Sequence, residues 1–162
     1  MVDLKGLKFS KMHGIGNDFP IIDESKGKVI PEEDKPEACR FLCHRNFGVG
    51  GDGVLFVEPS DVADIGYRMF NPDGSEAEMC GNGIRCFGDF VYTKGILKQE
   101  KMTVETRAGI KTIEITEREA FLLNWAANYL IDHTKDLMFN PKALHEINAL
   151  KKAQEKLKTI LE

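Results

Sequence analysis

The sequence contains no apolar run approaching the roughly 18 residues that a membrane-spanning helix needs. Its first ten residues, MVDLKGLKFS, have neither the apolar core nor the small-residue cleavage site of a secretory signal. Basic tracts are missing too, and a net charge of −4 offers nothing to a nucleic acid or an anionic membrane. Cysteine is sparse: Cys39, Cys43, Cys80 and Cys86 read as free thiols rather than as the disulfide framework of a secreted protein. The glycine-rich FGVGGDGVL lacks the Lys-Ser/Thr pair of a phosphate loop and the spacing of a dinucleotide fingerprint, which leaves a turn supporting the wall of a site. Cys39, Cys43 and His44 lack a second ligand pair, so no metal site is expected and the two thiols, on one face of a helix, are assigned to the core. What remains is a globular protein, expected in the cytoplasm and without a nucleic-acid or membrane partner.

Its 162 residues, 42% hydrophobic and 30% charged, suffice for one well-cored domain with a short appendage. β-Branched and aromatic enrichment predicts strands at Phe19 to Asp23, Val54 to Glu58, Ile65 to Phe70, Met102 to Thr106 and Ile110 to Ile115. Helices are expected from Lys35 to Arg45, with Pro36 in the first turn, and from Asn82 to Lys94, stopped by Gly95. The texture changes after residue 115. Thr116 and Glu119 form a capping box, followed by Leu122, Leu123, Ala126, Ala127, Leu130 and Ile131 at helical spacing. Asn140-Pro141 opens a second helix with the stripe Leu144, Ile147, Leu150, Leu157 and Ile160. The expected organisation is an α+β domain over residues 1–115 and a C-terminal helical hairpin over 116–162, its apolar stripe buried against the protein or a neighbour.

Chemistry concentrates in NPDGSEAEMCGNGIRCFGDFVY, from Asn71 to Tyr92. Asn71-Pro72-Asp73-Gly74 is a turn. Cys80 then precedes Gly81-Asn82-Gly83 and a helix. A thiol at a helix N-terminus meets the positive end of the dipole, which favours the thiolate. The same end offers free N–H groups to a carboxylate, and Gly81 and Gly83 would allow close approach to the main chain. A carboxylate held there brings its α-carbon within reach of sulfur. The residues alone leave open the alternative that Cys80 is a buried small hydrophobe, as most free cysteines are.

NPDGSEAEMCGNGIRC also resembles the active-site signature of diaminopimelate epimerases. FSKMHGIGNDF at Phe9 to Phe19, HRNFGVGGDGVLFVEP at His44 to Pro59 and VETRAGI at Val104 to Ile110 accompany it in order. The resemblance covers about residues 7–115. It implies a curved, largely antiparallel sheet wrapped round a central helix, and a cofactor-independent epimerase using one cysteine as thiolate and another as thiol on opposite faces of an α-carbon. On that resemblance Cys80 matches the first catalytic cysteine, Gly81 and Asn82 match groups holding the substrate's α-carboxylate and amino group, and Asn17 and Asn71 match substrate-contacting asparagines. Diaminopimelate would be the substrate, within lysine and cell-wall precursor synthesis.

Two departures stand out. No cysteine follows Cys86, and residues 116–162 do not resemble the family's second half. Whether these residues alone are an enzyme therefore stays open: another subunit, even a homodimer partner, could supply the second group, or the unit could be a binding or structural half. Pro20 is the other. It removes a ladder donor, so its strand is expected at an edge or to start late.

Overall fold

Apolar side chains that alternate along neighbouring strands must face two different cores. In β3 (Val54–Glu58) Leu55 and Val57 join one core while Val54 and Phe56 join another. In β2 (Asn17–Asp23) Ile21 and Ile22 divide the same way, as do Met69 and Phe70 of β4 (Ile65–Phe70). These are the central strands of one open sheet, buried on both faces. The structure, a computed structural model, describes residue 2 and residues 4–115.

Four further strands complete the sheet among the described residues: β1 (Ser10–Gly14), β5 (Glu76–Ala77), β6 (Lys101–Thr106) and β7 (Gly109–Glu114). The order is β1-β2-β3-β4-β6-β7, with β5 paired to β4. Four pairings are antiparallel, while β2–β3 and β4–β6 are parallel, so the sheet is mixed. Each parallel pair spans one helix: α1 (Lys35–Cys43), preceded by a 3-10 turn at Glu32–Asp34, and α2 (Gly81–Thr93). Both crossovers step the same way across the sheet, but β4 and β6 run opposite to β2 and β3. Right-handed crossovers must then place the two helices on opposite faces. They do: Ala38, Cys39, Leu42 and Cys43 of α1 fill one core, and Ile84, Cys86, Phe87, Phe90 and Val91 of α2 fill the other.

α2 touches both β1 and β7, which sit five strand spacings apart in the order. Spacings of about 4.8 Å would separate those edges by roughly 24 Å in a flat sheet, twice the width of a helix. The sheet therefore curves round α2. Gly88 permits the approach from one edge, since a Cβ there would lie 2.6 Å from Ile113 Cδ1.

The strands at Val54–Glu58 and Ile65–Phe70 match the sequence reading; β6 starts one residue earlier than expected, β7 is shifted by one residue, and β2 starts two residues before Phe19. α1 stops at Cys43 rather than Arg45, because His44 turns extended and its Nδ1 accepts the N–H groups of Asn46 and Phe47. β1 was not expected; it forms a hairpin with β2 through Ile15 (φ 53°) and Gly16 (φ 90°), a left-handed pair suited to a tight hairpin. Pro20 needs a correction. Its strand neither starts late nor lies at the sheet edge, but pairing with β3 begins only at Ile21, so β2 has a strand on one side alone at Pro20. The missing donor falls where no second ladder exists. The helical hairpin expected over residues 116–162 lies outside the described residues.

Candidate active site

Cys80 occupies the N-cap of α2 in extended conformation (φ −127°, ψ 126°), and Gly83 N–H donates to its Sγ at 3.5 Å. An N-cap side chain normally accepts from the N2 or N3 amide, and here sulfur takes the place usually held by a hydroxyl or carboxylate oxygen. The thiol is partly exposed, whereas Cys39, Cys43 and Cys86 are buried. Burial pushes the Cys39 thiol up to about 12, and Cys43 and Cys86 to about 11. Neutral, enclosed thiols of that kind are poor nucleophiles and poor bases at neutral pH.

The floor beneath the cap is Tyr67. Its ring packs edge-on against Phe87, with centroids 5.2 Å apart, and its hydroxyl donates to Met69 Sδ at 3.4 Å. Burial raises the pKa of the phenol, opposed by a hydrogen bond with the Cys80 backbone. Gly83 is required by that floor, since a Cβ would stand 2.8 Å from the Tyr67 hydroxyl. Gly81 is different: exposed, with open space where a Cβ would be except for an Arg85 nitrogen at 3.9 Å. Gly14 of β1 presses on the first turn of α2, where a Cβ would meet the Asn82 carbonyl oxygen at 3.2 Å and Cys86 Sγ at 3.3 Å.

That contact brings Asn17 to Asn82. The Asn82 Nδ2 donates to Asn17 Oδ1 at 2.6 Å, and Asn17 Nδ2 donates to Asp52 Oδ2 at 3.1 Å. Arg85 donates to Asn82 Oδ1 from one turn along the helix. Asp52 also accepts the Asp18 N–H at 3.2 Å and the Arg45 guanidinium at 2.8 Å. Arg45 bridges on to Asp18, which Lys11 approaches to 3.0 Å. The hydrogen bond from Arg45, reinforced by Lys11, holds the Asp18 carboxyl down at about 2 despite partial burial. Lys11 also donates to the Val49 carbonyl.

Cys80, Gly81, Asn82 and Asn17 are thus gathered at one end of α2. Asn71 is not joined to them. Its amide donates to the Ser75 hydroxyl at 3.0 Å, and among the described residues no hydrogen bond links it to the Asn17–Asn82 pair. Asp52, Arg45, Asp18 and Tyr67 were missed in the sequence. The signal for Asp52 was its place between two glycines in the loop read as a wall: Gly51 packs on Pro20 and Gly53 on Met69, so Asp52 is the side chain left to project.

Comparisons with known proteins give the family and the fold. The family model for diaminopimelate epimerase matches residues 9–124. A diaminopimelate epimerase from Methanothrix thermoacetophila is 57% identical over 121 residues, covering 74% of this chain and 42% of that protein. One from Methanothermobacter thermautotrophicus is 60% identical over 108 residues, 66% of this chain and 38% of that protein. The chain therefore spans about two fifths of the length of these relatives. Among solved structures, a Bacillus anthracis phenazine biosynthesis protein of the PhzF family superposes with a TM-score of 0.51 at 28% identity, covering 67% of this chain and 34% of that one.

Proposed function

Because this chain belongs to the diaminopimelate epimerase family, we propose that its described residues form one half of a cofactor-independent α-carbon acid–base site for diaminopimelate, with Cys80 as the proton-transferring group. One observation carries the reading: the partly exposed thiol caps the helix whose first turn carries the main-chain N–H groups of Gly81 and Asn82 and the Asn82–Asn17 pair. A carboxylate bound at those N–H groups places its α-carbon beside Sγ, and fixed dipoles then stabilise the negative charge that develops as the proton leaves. Gly81 leaves the main chain open to that carboxylate, and Asn82 and Asn17 add side-chain hydrogen bonds. Asn71 is proposed as a distal substrate contact, reached by turning its amide away from Ser75.

Inversion needs a proton removed from one face and another delivered to the opposite face. Cys80 serves one face. Among the described residues the other thiols, Cys39, Cys43 and Cys86, are buried, so on this reading the second acid–base group comes from elsewhere, such as another subunit. The chain alone is expected to bind diaminopimelate and exchange its α-proton without inverting it at a normal rate. The test is incubation with meso-diaminopimelate in heavy water. Deuterium incorporation that Cys80→Ser abolishes, with isomer interconversion far below the order of 1–10³ s⁻¹, is the predicted result. Inversion at ordinary enzymatic rates, or exchange indifferent to Cys80→Ser, contradicts it.

A further inference from the structure

We propose that Asp52 is a positioning residue that fixes which way the side-chain amides of Asn17 and Asn82 face, and so makes this part of the site a donor of N–H groups. The identity of the ligand rests on the diaminopimelate reading; the amide polarity does not.

The chain of bonds has a direction. An arginine can only donate and a carboxylate can only accept. Arg85 donates to Asn82 Oδ1, Asn82 Nδ2 donates to Asn17 Oδ1, and Asn17 Nδ2 donates to Asp52 Oδ2. Between a cation at one end and an anion at the other, both amides have one satisfying orientation. Flipping either would set oxygen against oxygen or nitrogen against guanidinium. Each amide nitrogen keeps a second N–H beyond the bonds named here. With the free main-chain N–H groups of the first turn of α2, these donors suit a carboxylate. The reversed orientation would offer carbonyl oxygens and suit an ammonium group instead.

Asp52 is itself held. Its second oxygen accepts the Arg45 guanidinium at 2.8 Å, and Oδ2 also takes the Asp18 N–H at 3.2 Å. Gly51 and Gly53 on either side are pressed against Pro20 and Met69, which fixes the backbone from which the carboxylate projects. Asp52 itself is a link away from Asn82, so its influence there must travel through Asn17.

The experiment is side-chain amide NMR on the full chain. Hydrogen bonds in series polarise one another. Asp52→Asn should therefore move the Nδ2 protons of Asn82 as well as those of Asn17, upfield, as the chain weakens. Arg45→Gln, at an exposed guanidinium, leaves Asp52 a stronger acceptor and should move the same Asn82 protons downfield. It also serves if Asp52→Asn does not fold. The Asn71 amide, bound in its own turn, should stay still in both. Movement of Asn17 alone, or shifts of the same sign in both variants, overturns the proposal. In parallel, meso-diaminopimelate titrated against the backbone amides of Gly81 and Asn82 should bind Asp52→Asn about fivefold more weakly than wild type, the effect of roughly one lost hydrogen bond. If wild type shows no binding, the substrate reading fails while the amide shifts still decide the role of Asp52.

Discussion

Gly83 has a hydroxyl where its side chain would be, and that fixes how closely the Cys80 cap sits on the sheet. In Gly83→Ala either the helix start or the Tyr67 ring must move, because 2.8 Å to the phenol oxygen leaves no room for a methyl group. Overpacking of this kind costs about 1–3 kcal/mol. The expected outcome is that loss in chemical denaturation together with slower or faster alkylation of Cys80, since the thiol is carried on the displaced turn. Gly81→Ala, facing open space, should leave stability nearly unchanged. Acid tests a second residue-scale feature. Asp18 is held near 2 against an ordinary 3.8 by Arg45, and Glu32 near 2 against 4.5, where hydrogen bonds from Lys28 and Arg68 outweigh burial. Depressed carboxylates contribute stability above their unfolded pKa and lose it as pH falls through the folded one. Unfolding free energy should thus hold from neutral pH to about 4.5 and fall between there and about 2. Asp18→Asn should remove part of that slope, and urea titrations across the range check it.

At the scale of elements, α1 is fastened to the sheet by a buried ion cluster. Lys35 is wholly buried, 2.9 Å from Glu24 and 2.5 Å from Glu58, with its ammonium over the Phe56 ring. Burial alone would lower the lysine pKa, but the two carboxylates outweigh it and the pKa is raised. Lys35→Met leaves Glu24 buried without its counter-charge, a change worth about 3–5 kcal/mol; thermal and denaturant unfolding should show it, with Cys80 reactivity unaltered because the cluster lies on the opposite face from α2. None of this was legible beforehand. Lys35 reads as an ordinary helix-start lysine, and only the crossover on that face reveals what it meets. The strands were legible where one residue type dominates, as in VLFVE, and α2 was legible because Gly-Asn-Gly and Gly95 bracket an apolar stripe. β1 was not, since its alternating exposed residues SKMHG carry no apolar signal and depend on β2 for pairing. Within the site, Cys80 and Asn82 could be read from one contiguous motif. Asp52 and Arg45 could not, because their roles arise from contacts 35 and 65 positions apart in sequence, made where the loop after α1 and the start of α2 each meet Asn17 at the start of β2.

At the largest scale, the described residues form one curved sheet with two crossovers on opposite faces, and the candidate site lies at the N-terminus of α2. Among the described residues no helix is long and apolar enough to cross a membrane. The matched region makes up only about two fifths of the relatives' length, and the proposed one-thiol chemistry calls for a second acid–base group. Cys80 is proposed as the reactive thiol of a site that holds diaminopimelate. Timed alkylation of the full chain at neutral pH, with and without meso-diaminopimelate and followed by peptide mass mapping, tests this directly. The predicted result is that Cys80 is labelled first, well ahead of Cys39, Cys43 and Cys86, and that the ligand slows its labelling. Faster labelling of any buried cysteine, or a Cys80 rate indifferent to the ligand, would contradict it.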